Sequence, residues 1–254
     1  MQQDQAGQKL LELIQQIADG HYSDDIMALT RQEVPEPIRT IAEAMGMMMV
    51  KVEAREFRLA QLVEQIKKNA IATVTAMAHA LAARDTYTEG HAARVAELSR
   101  KIARRLGLDE EAVEYVYLGG LLHDIGKIGF PDALFDTHGK KNPPELVKKI
   151  IKHPLIGYDI LAGLDFLGPA LDYVRCHHER LDGSGYPKRL KAEDIPLGAR
   201  ILAVADGFDA MTTDRPYQKG KSPRQALEIL RKQCPHRLDP PVVEALAGIL
   251  EEEG

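Results

Sequence analysis

The stretch that decides the fold runs from Glu110 to Lys127 and reads EEAVEYVYLGGLLHDIGK. Its apolar side chains recur every three or four residues, which is the spacing of one face of an α-helix. Asp124 continues that face by one further turn. The face is formed by Val113, Val116, Tyr117, Gly120 and Leu121. The Gly119–Gly120 pair predicts that a neighbouring backbone approaches closely, because glycine has no side chain to hold it away.

Two other helical stretches also place ionisable residues on an apolar face. In GHAARVAELSRKIARRLG, residues 90–107, His91 lies one turn before the stripe that begins at Val95. In GARILAVADGFDAMTT, residues 198–213, the apolar face leads to Asp206 and then to Asp209. Burying an isolated carboxylate costs on the order of several kcal/mol unless it is paired or bound to a metal ion. If these ionisable side chains are buried, each therefore requires a hydrogen-bonding, ionic or metal partner.

Two explanations are open for these residues. Each one alone could be satisfied by a neutral hydrogen bond or by a lysine, which is the usual state of a lone buried histidine. Several such residues on separate helices favour a shared metal centre. His153, which opens HPLIGYDIL, and the pair His177–His178 supply further imidazoles.

The adjacent His123 and Asp124 predict how such a centre is organised. Neighbouring residues on a helix point about 100° apart, so Asp124 can bridge two ions while His123 binds one. Mixed imidazole and carboxylate ligands without thiolate suit Fe, Mn, Zn or Ni better than Ca or Mg. The sequence does not choose among those four metals.

Helical spacing continues through almost the whole chain, and no alternating strand pattern is evident, so the predicted fold class is all-α. Residues 1–68 form a predicted N-terminal helical segment and residues 69–254 a second domain. The segment contains a seam with 3–4 spacing, broken only by Arg55, which indicates a coiled coil or parallel bundle with a second copy of the chain. The alternative is a long amphipathic helix packed on its own domain. The seam residues are Ile38, Ile41, Met45, Met48, Val52, Leu59, Leu62 and Ile66.

Composition excludes some classes of function. A net charge of −5 argues against a partner that is a nucleic-acid polymer. Two distant cysteines predict no disulfide framework and a reducing compartment. The N-terminus lacks the pattern of a signal peptide, and no run approaches the roughly 18 apolar residues of a membrane span. We therefore expect a cytoplasmic protein.

Five ordered blocks together resemble the HD-GYP family, a branch of the HD superfamily of metal-dependent phosphohydrolases. The resemblance covers roughly residues 69–251. The blocks are ARDTYTEGHAARV, LLHDIGKIGFPD, HPLIGYDIL, HHERLDGSGYP and ILAVADGFDAMTTDRPY. The N-terminal layout of two helices around a connector is similar to a HAMP signalling module.

The resemblance implies an HD-type helical bundle that hydrolyses cyclic di-GMP to linear pGpG. The sequence leaves open whether pGpG or GMP is the end product. The resemblance also implies a binuclear centre of two divalent ions, Fe or Mn first and Zn or Ni as alternatives. One ion would be held by His91, His123, Asp124 and Asp206. Asp124 would bridge to a second ion held by His153 and His177, with His178 completing or extending the cluster. A third ion is the minority case, because Tyr87 stands where some members carry a glutamate.

The same resemblance assigns roles outside the ligand set. Lys127, within HDIGK, would act with Asp124 in catalysis by stabilising phosphoryl charge or assisting the departing sugar oxygen; the alternative is an ion pair with a surface acid. Arg215 would hold a phosphate or a guanine edge, and Lys219 compensates for Gln218, where members often have a basic residue. Asp209 is expected among the substrate-binding residues, where it would orient a metal-bound water or a neighbouring side chain. Further substrate contacts are expected at Gly183, Gly185 and Tyr186.

Competing hypotheses concern the substrate and the class of function. Another cyclic dinucleotide, such as 3′,3′-cGAMP, could replace cyclic di-GMP. From a different class, the protein could be a receptor that binds the dinucleotide without cutting it. The full set of candidate ligands favours the enzyme, as a receptor has little use for a hydrolytic cluster. We expect a homodimer through the N-terminal helices.

Overall fold

A computed structural model describes residues 2–31, 33–82, 90–130, 144–214 and 219–253. These residues form helices and no strand, which confirms the predicted all-α class. No helix among them is long and apolar enough to cross a membrane. The α-helices are α1 (Gln2–Ala18), α2 (Glu36–Ala82), α3 (His91–Arg105), α4 (Glu110–Leu122), α5 (Pro144–Ile150), α6 (His153–Leu161), α7 (Ala170–Cys176), α8 (Leu197–Thr212), α9 (Pro223–Gln233) and α10 (Pro240–Glu253). Short 3₁₀ helices span Asp24–Thr30, Ile125–Gly129, Asp165–Leu167 and Ala192–Asp194.

The chain divides into two compact units, Met1–Asn69 and Ala70–Gly254. The first contains α1, the 3₁₀ helix Asp24–Thr30 and the part of α2 up to Asn69. Its small core is formed by Leu10, Leu13, Ile26, Leu29, Ala42 and Met49, with Ile38 and Met45 packed against it. The predicted HAMP-like signalling role of this unit stays a prediction.

The predicted seam on α2 is divided between two faces. Ile38 and Met45 turn inward and pack on the core of the first unit. Ile41 and Met48, which belong to the same predicted series, lie beside that inward stripe and are about half exposed. The inward face therefore follows 38, 42, 45 and 49, a stripe displaced from the predicted one. The alternative of a helix packed on its own domain therefore holds for the first three to four turns of α2. The coiled coil with a second copy stays a prediction.

The second unit has a core built around α3, α4 and α8, with α9 and α10 packed on it. A second cluster joins α4, the 3₁₀ helix after it, α7 and residues near the end of α2. Helix α4 begins at an Asp109 N-cap whose carboxylate accepts the Ala112 N–H at 2.8 Å. Helix α9 begins with a capping box between Ser222 and Gln225. Local sequence signals of this kind set where the helices start.

The glycine pair in α4 allows a close contact with helix α3. A Cβ added at Gly120 would lie 2.6 Å from the Cα of Ala96 in α3, which confirms the predicted close backbone approach. At Gly119 a Cβ would meet the Tyr173 side chain at 3.2 Å. Because α3 begins at His91 and α4 ends just before His123, this contact brings two candidate ligands together.

The contact at Gly120 predicts a specific loss of stability. Gly120→Ala should lower the free energy of unfolding by about 1–3 kcal/mol, because the added methyl overpacks a backbone-to-backbone contact. Denaturant unfolding followed by circular dichroism measures the change. The matched control is Gly163→Ala, where an added Cβ meets nothing within 4 Å. Equal stability of the two variants would contradict the prediction.

Candidate metal centre

The candidate ligands lie at helix ends or on the inner face of α8. His91 is the first residue of α3 and follows Gly90, whose φ of 73° is left-handed. His123 ends α4, His153 opens α6 and His177 closes α7. Helix ends pointing at one place bring side chains distant in sequence within reach of a common ion. His91, His123, His153 and His177 are all buried.

These side chains form two groups of possible metal donors. Within each group the donor atoms lie within 4.8 Å of one another. The first donor group is His91, His123 and Asp206, and the second donor group is His153, His177 and His178. The rings of His123 and His177 have centroids 5.1 Å apart, so the two groups are neighbours.

Asp124 stands between the two donor groups. Its Oδ2 is 3.4 Å from His123 Nε2, and its Oδ1 is 3.4 Å from His153 Nε2. The two oxygens of the Asp124 carboxylate thus face different donor groups, which is the geometry that a bridging ligand needs. Burial raises the pKa of the Asp124 carboxyl, but Lys127 and His123 outweigh it and hold that pKa well below its usual value.

Three backbone carbonyls determine which ring nitrogen of each histidine is available. Nδ1 of His123 lies 2.8 Å from the Gly120 oxygen. Nδ1 of His153 and of His177 lie 2.7 Å from the oxygens of Ile150 and Val174. A carbonyl oxygen only accepts, so each Nδ1 carries a proton and each neutral ring keeps a lone pair on Nε2. This arrangement is the usual one behind metal-binding histidines.

The second donor group shows why a cation fits this site. Nε2 of His153 and Nε2 of His177 are 3.2 Å apart. With both Nδ1 protons committed to carbonyls, the two neutral rings face each other with lone pairs, and no hydrogen bond joins them. Burial, with charged neighbours, lowers the pKa of His177 well below its usual value and that of His178 to about 3. The neutral imidazole is the form that ligates metals.

His91 is oriented differently, by carboxylates. Its Nδ1 lies 2.7 Å from Asp209 Oδ2, and its Nε2 lies 3.4 Å from Asp206 Oδ1. Burial lowers the pKa of His91, but hydrogen bonding to these two carboxylates more than compensates and raises it to about 9. The surroundings of His91 therefore favour positive charge.

Arg94 completes this arrangement and was not singled out from the sequence. Its Nε donates to Asp209 Oδ1 at 2.6 Å, and its Nη2 donates to Asp209 Oδ2 at 3.0 Å and to Thr213 Oγ1 at 3.2 Å. The available signal was the spacing, because Arg94 follows His91 by three residues on α3 and so shares its face. Of the roles predicted for Asp209, these contacts favour orienting a neighbouring side chain.

The predicted catalytic lysine lies at the bridging carboxylate. Lys127 Nζ is 2.5 Å from Asp124 Oδ2 in a partly buried ion pair. One partner of Lys127 is thus a candidate metal ligand. Its predicted catalytic role and the alternative of an ion pair with a surface acid both stay predictions. The pair with Asp124 places an ammonium beside the point where the two donor groups meet.

The loop after His178 is held by its own contacts. Glu179 is buried and accepts the backbone N–H groups of Lys188 at 2.6 Å and Leu190 at 3.1 Å. Gly183 has a left-handed φ of 77°. At Gly185 a Cβ would lie 2.5 Å from backbone atoms of residues 178–180. Both glycines shape the loop, and their predicted substrate contacts stay predictions.

Tyr186 faces the second donor group from this loop. Its ring centroid is 4.8 Å from that of His178, at an interplanar angle of 33°. Arg180 is only partly exposed, and burial lowers the pKa of its guanidinium. Lys188 and Arg189 are exposed.

The remaining predicted substrate residues lie away from these contacts. Lys219 is exposed. Arg215 and Gln218 lie outside the described residues, as does Tyr87, so the predictions made for those positions stay predictions.

The HD domain family matches residues 75–242, more than half of the chain and all six candidate donors. The chain belongs to the HD domain family. The resemblance to its HD-GYP branch agrees with the relatives that follow. Proteins of this family are metal-dependent phosphohydrolases, and the two donor groups of this HD domain are suited to hold metal ions.

Several curated proteins are similar to this chain in sequence. A cyclic di-GMP phosphodiesterase response regulator, RpfG of Xanthomonas campestris pv. campestris, is 38% identical over 193 residues, covering 75% of this chain and 51% of that protein. The 3′3′-cGAMP-specific phosphodiesterase 1 of Vibrio cholerae is 37% identical over 171 residues, covering 67% of this chain and 39% of that protein. Further relatives are named cyclic di-GMP phosphodiesterases. The chain spans about half or less of the length of these relatives.

A solved structure shares the fold. The cyclic GMP-AMP-specific phosphodiesterase V-cGAP3 of V. cholerae superposes with a TM-score of 0.58 at 20% identity, over 71% of this chain and 48% of that one. At that identity the similarity supports the helical architecture of the HD domain and not its substrate.

The lone pairs in the second donor group predict that metal binding stabilises the fold. Adding Mn²⁺ to the chelator-treated chain should raise its midpoint of thermal unfolding, since a ligand at 100 times its Kd adds about 2.7 kcal/mol. His177→Ala should lose most of that rise, and its bound metal should fall when measured by elemental analysis. His236→Ala, an exposed histidine of the same unit, is the control. An unchanged rise in His177→Ala would contradict the prediction.

Proposed function

We propose that this chain is a cyclic di-GMP phosphodiesterase that hydrolyses the cyclic dinucleotide to pGpG and then to GMP. One observation supports it above the others: the Asp124 carboxylate turns one oxygen to each of two buried donor groups. Such an arrangement suits two ions on either side of a phosphodiester. The relatives named as cyclic di-GMP phosphodiesterases support the substrate.

The proposed ligands follow the two donor groups. The first ion is assigned to His91, His123, Asp124 and Asp206, and the second to Asp124, His153, His177 and His178. Nitrogen and carboxylate donors without thiolate suit Fe, Mn, Zn or Ni. The resemblance to the HD-GYP family puts Fe or Mn first, with Zn and Ni as alternatives. Divalent ions bound there would supply Lewis-acid chemistry, lowering the pKa of coordinated water and balancing charge on the phosphoryl oxygens. Two ions are proposed; a third would need a ligand near Tyr87.

The chain's own residues then orient groups and place charge. The carbonyls behind His123, His153 and His177 hold each Nε2 toward the centre, so little reorganisation is needed when charge develops. The Lys127 ammonium, 2.5 Å from Asp124 Oδ2, stands where it can stabilise negative charge on the phosphoryl group. The same ammonium can donate a proton to the departing sugar oxygen.

Asp209 and Arg94 are proposed as positioning residues for His91. The Arg94 guanidinium holds both oxygens of Asp209, and Asp209 in turn holds His91 Nδ1. The ring is thereby set with Nε2 toward Asp206. Fixing the ring in this way also increases its basicity toward a metal ion.

Substrate recognition is assigned to the rim of the centre. Tyr186, stacked near His178, offers an aromatic face to a base. Gly183 and Gly185 keep its loop close to the centre. Arg215 and Lys219 supply positive charge for a phosphate or a guanine edge.

The proposed activity is tested by assaying cyclic di-GMP hydrolysis with protein prepared without oxygen and loaded with Fe or Mn. Asp124→Ala should abolish turnover and lose most bound metal, because both ions lose a ligand. Asp159→Ala, an exposed aspartate on α6, is the control and should retain both. Full retention of metal in Asp124→Ala would refute the bridging role.

The same assay identifies the substrate when two further quantities are measured, the turnover of 3′,3′-cGAMP and the binding of cyclic di-GMP. Faster turnover of 3′,3′-cGAMP than of cyclic di-GMP would favour the alternative specificity, which a 37% identical relative makes worth testing. Micromolar binding of cyclic di-GMP without turnover under any metal would favour a receptor.

The role of Asp209 gives a separate prediction. Asp209→Asn should lower metal affinity and kcat by about 10–100-fold, as expected when the partner of a metal-binding histidine loses its charge. Arg94→Lys should lower metal affinity and kcat by less, because lysine keeps the positive charge but loses the bidentate contact with the Asp209 carboxylate. The control is Glu97→Gln on the same helix, because the Glu97 carboxylate pairs with Arg100 and not with Asp209. A raised KM with unchanged metal affinity would instead support the substrate contact first predicted for Asp209.

We also propose that two copies of the chain associate through the N-terminal unit. The support is the set of apolar side chains that α2 leaves exposed within residues 36–69. They are Ile41, Met47, Met48, Val50, Phe57, Leu59, Leu62, Val63 and Ile66.

A further inference from the structure

The middle of α2 is a helix with little of its own unit packed on it. From Val50 to Lys68 almost every residue is exposed, including Phe57 and Ile66, each at 67%. Isolated helices are only marginally stable in water, and amphipathic packing supplies most of their stability. A continuous helix with several exposed large apolar side chains indicates that another surface covers it.

Part of this exposed set follows a heptad repeat. Met48, Val52, Arg55, Leu59, Leu62 and Ile66 are spaced 4, 3, 4, 3 and 4 residues apart. That alternation occupies the a and d positions of a two-stranded coiled coil, with Val52, Leu59 and Ile66 at a. Over about five turns, only Arg55 is polar.

The charges beside the repeat distinguish a parallel from an antiparallel pair. Lys51 and Arg58 fall at g positions, and Glu56 falls at e. In a parallel pair, g of one helix faces e of the next heptad on the other, so Lys51 meets Glu56 of the second copy. An antiparallel pair sets the g rows against each other, which places positive charge on positive charge.

Arg55 fits the same parallel arrangement. A d side chain in a parallel pair packs beside the e residue of the other helix, so the Arg55 guanidinium lies next to Glu56 of the second copy. Within the described part of the chain, Lys51, Arg55 and Glu56 take part in no ion pair, whereas Glu64 pairs with Lys68 on the outer face. The second copy supplies the partners that the chain itself does not.

We infer that residues 48–66 of α2 form a parallel, in-register two-stranded coiled coil with a second copy, and that Glu56, facing Arg55 and Lys51, sets its direction. This inference rests on the proposed homodimer. It adds the register, the orientation and the residues that determine them. A polar residue at a core position commonly serves to specify register at some cost in stability.

The charge arrangement is tested by sedimentation of the full chain. Glu56→Lys should raise the dimer dissociation constant at least tenfold, because each interface then holds only positive charge at this layer. Glu53→Lys makes the same change at an outward b position, three residues away, and should leave the constant unchanged. The triple variant Lys51→Glu, Arg55→Glu, Glu56→Lys restores opposite charges and should recover the dimer.

The direction is tested by single cysteines at Met48 and at Ile66. These positions lie about 27 Å apart along the helix. A parallel in-register pair should form an intermolecular disulfide at both, whereas an antiparallel pair can join at most one of them. The control is Glu64→Cys, which places a cysteine on the outer face of the helix. The unsubstituted chain shows which cross-links arise from the native Cys176 and Cys234.

Three outcomes would overturn the inference. A dimer equally affected by Glu56→Lys and Glu53→Lys would remove the role of Glu56. Cross-linking at only one of the two cysteines would exclude the parallel register. A monomer at all concentrations would refute the homodimer itself. Sedimentation and cross-linking do not measure hydrolysis. Their failure would therefore not bear on the proposed catalytic activity, which the hydrolysis assay tests separately.

Discussion

The carboxylate of Asp124 is the group on which the rest of the site depends. It lies between two sets of imidazoles, with one oxygen 3.4 Å from His123 Nε2 and the other 3.4 Å from His153 Nε2. Its Oδ2 also forms an ion pair with Lys127. A buried carboxylate is costly unless positive charge compensates it. Among the described residues, Lys127 supplies an ammonium and the surroundings of His91 favour positive charge, whereas His153 and His177 face each other with free lone pairs. These lone pairs make the centre receptive to cations.

Small residues allow the helices to deliver those side chains. The α3–α4 contact at Gly120 and Ala96 brings His91 near His123. A Cβ at Gly126 would lie 2.0 Å from the His153 carbonyl oxygen, so the start of α6 can reach Asp124 only because that position is glycine. The carbonyls of residues 120, 150 and 174 then orient three rings. Packing in the second unit therefore sets the ligand geometry.

The first unit presents a different physical situation. Its core is small, and α2 continues beyond it with exposed apolar side chains and charges that have no partner in the described chain. The inward stripe at 38, 42, 45 and 49 is satisfied within the unit, while the stripe from 48 to 66 is not. One helix thus carries an apolar face that packs within its own unit and an apolar face that stays exposed, and the proposed homodimer would cover the exposed face.

The sequence by itself determined the helical class, the close approach at Gly119–Gly120 and the set of candidate ligands, because these follow from spacing and from ionisable residues on apolar faces. It did not show the contact of Arg94 with Asp209, and it assigned Asp209 first to substrate. It also merged two faces of α2 into one seam, because Ile38 and Ile41 are equally apolar. Only the tertiary structure decided these points, since burial, the choice of ring nitrogen and the pairing of charges depend on which helices meet.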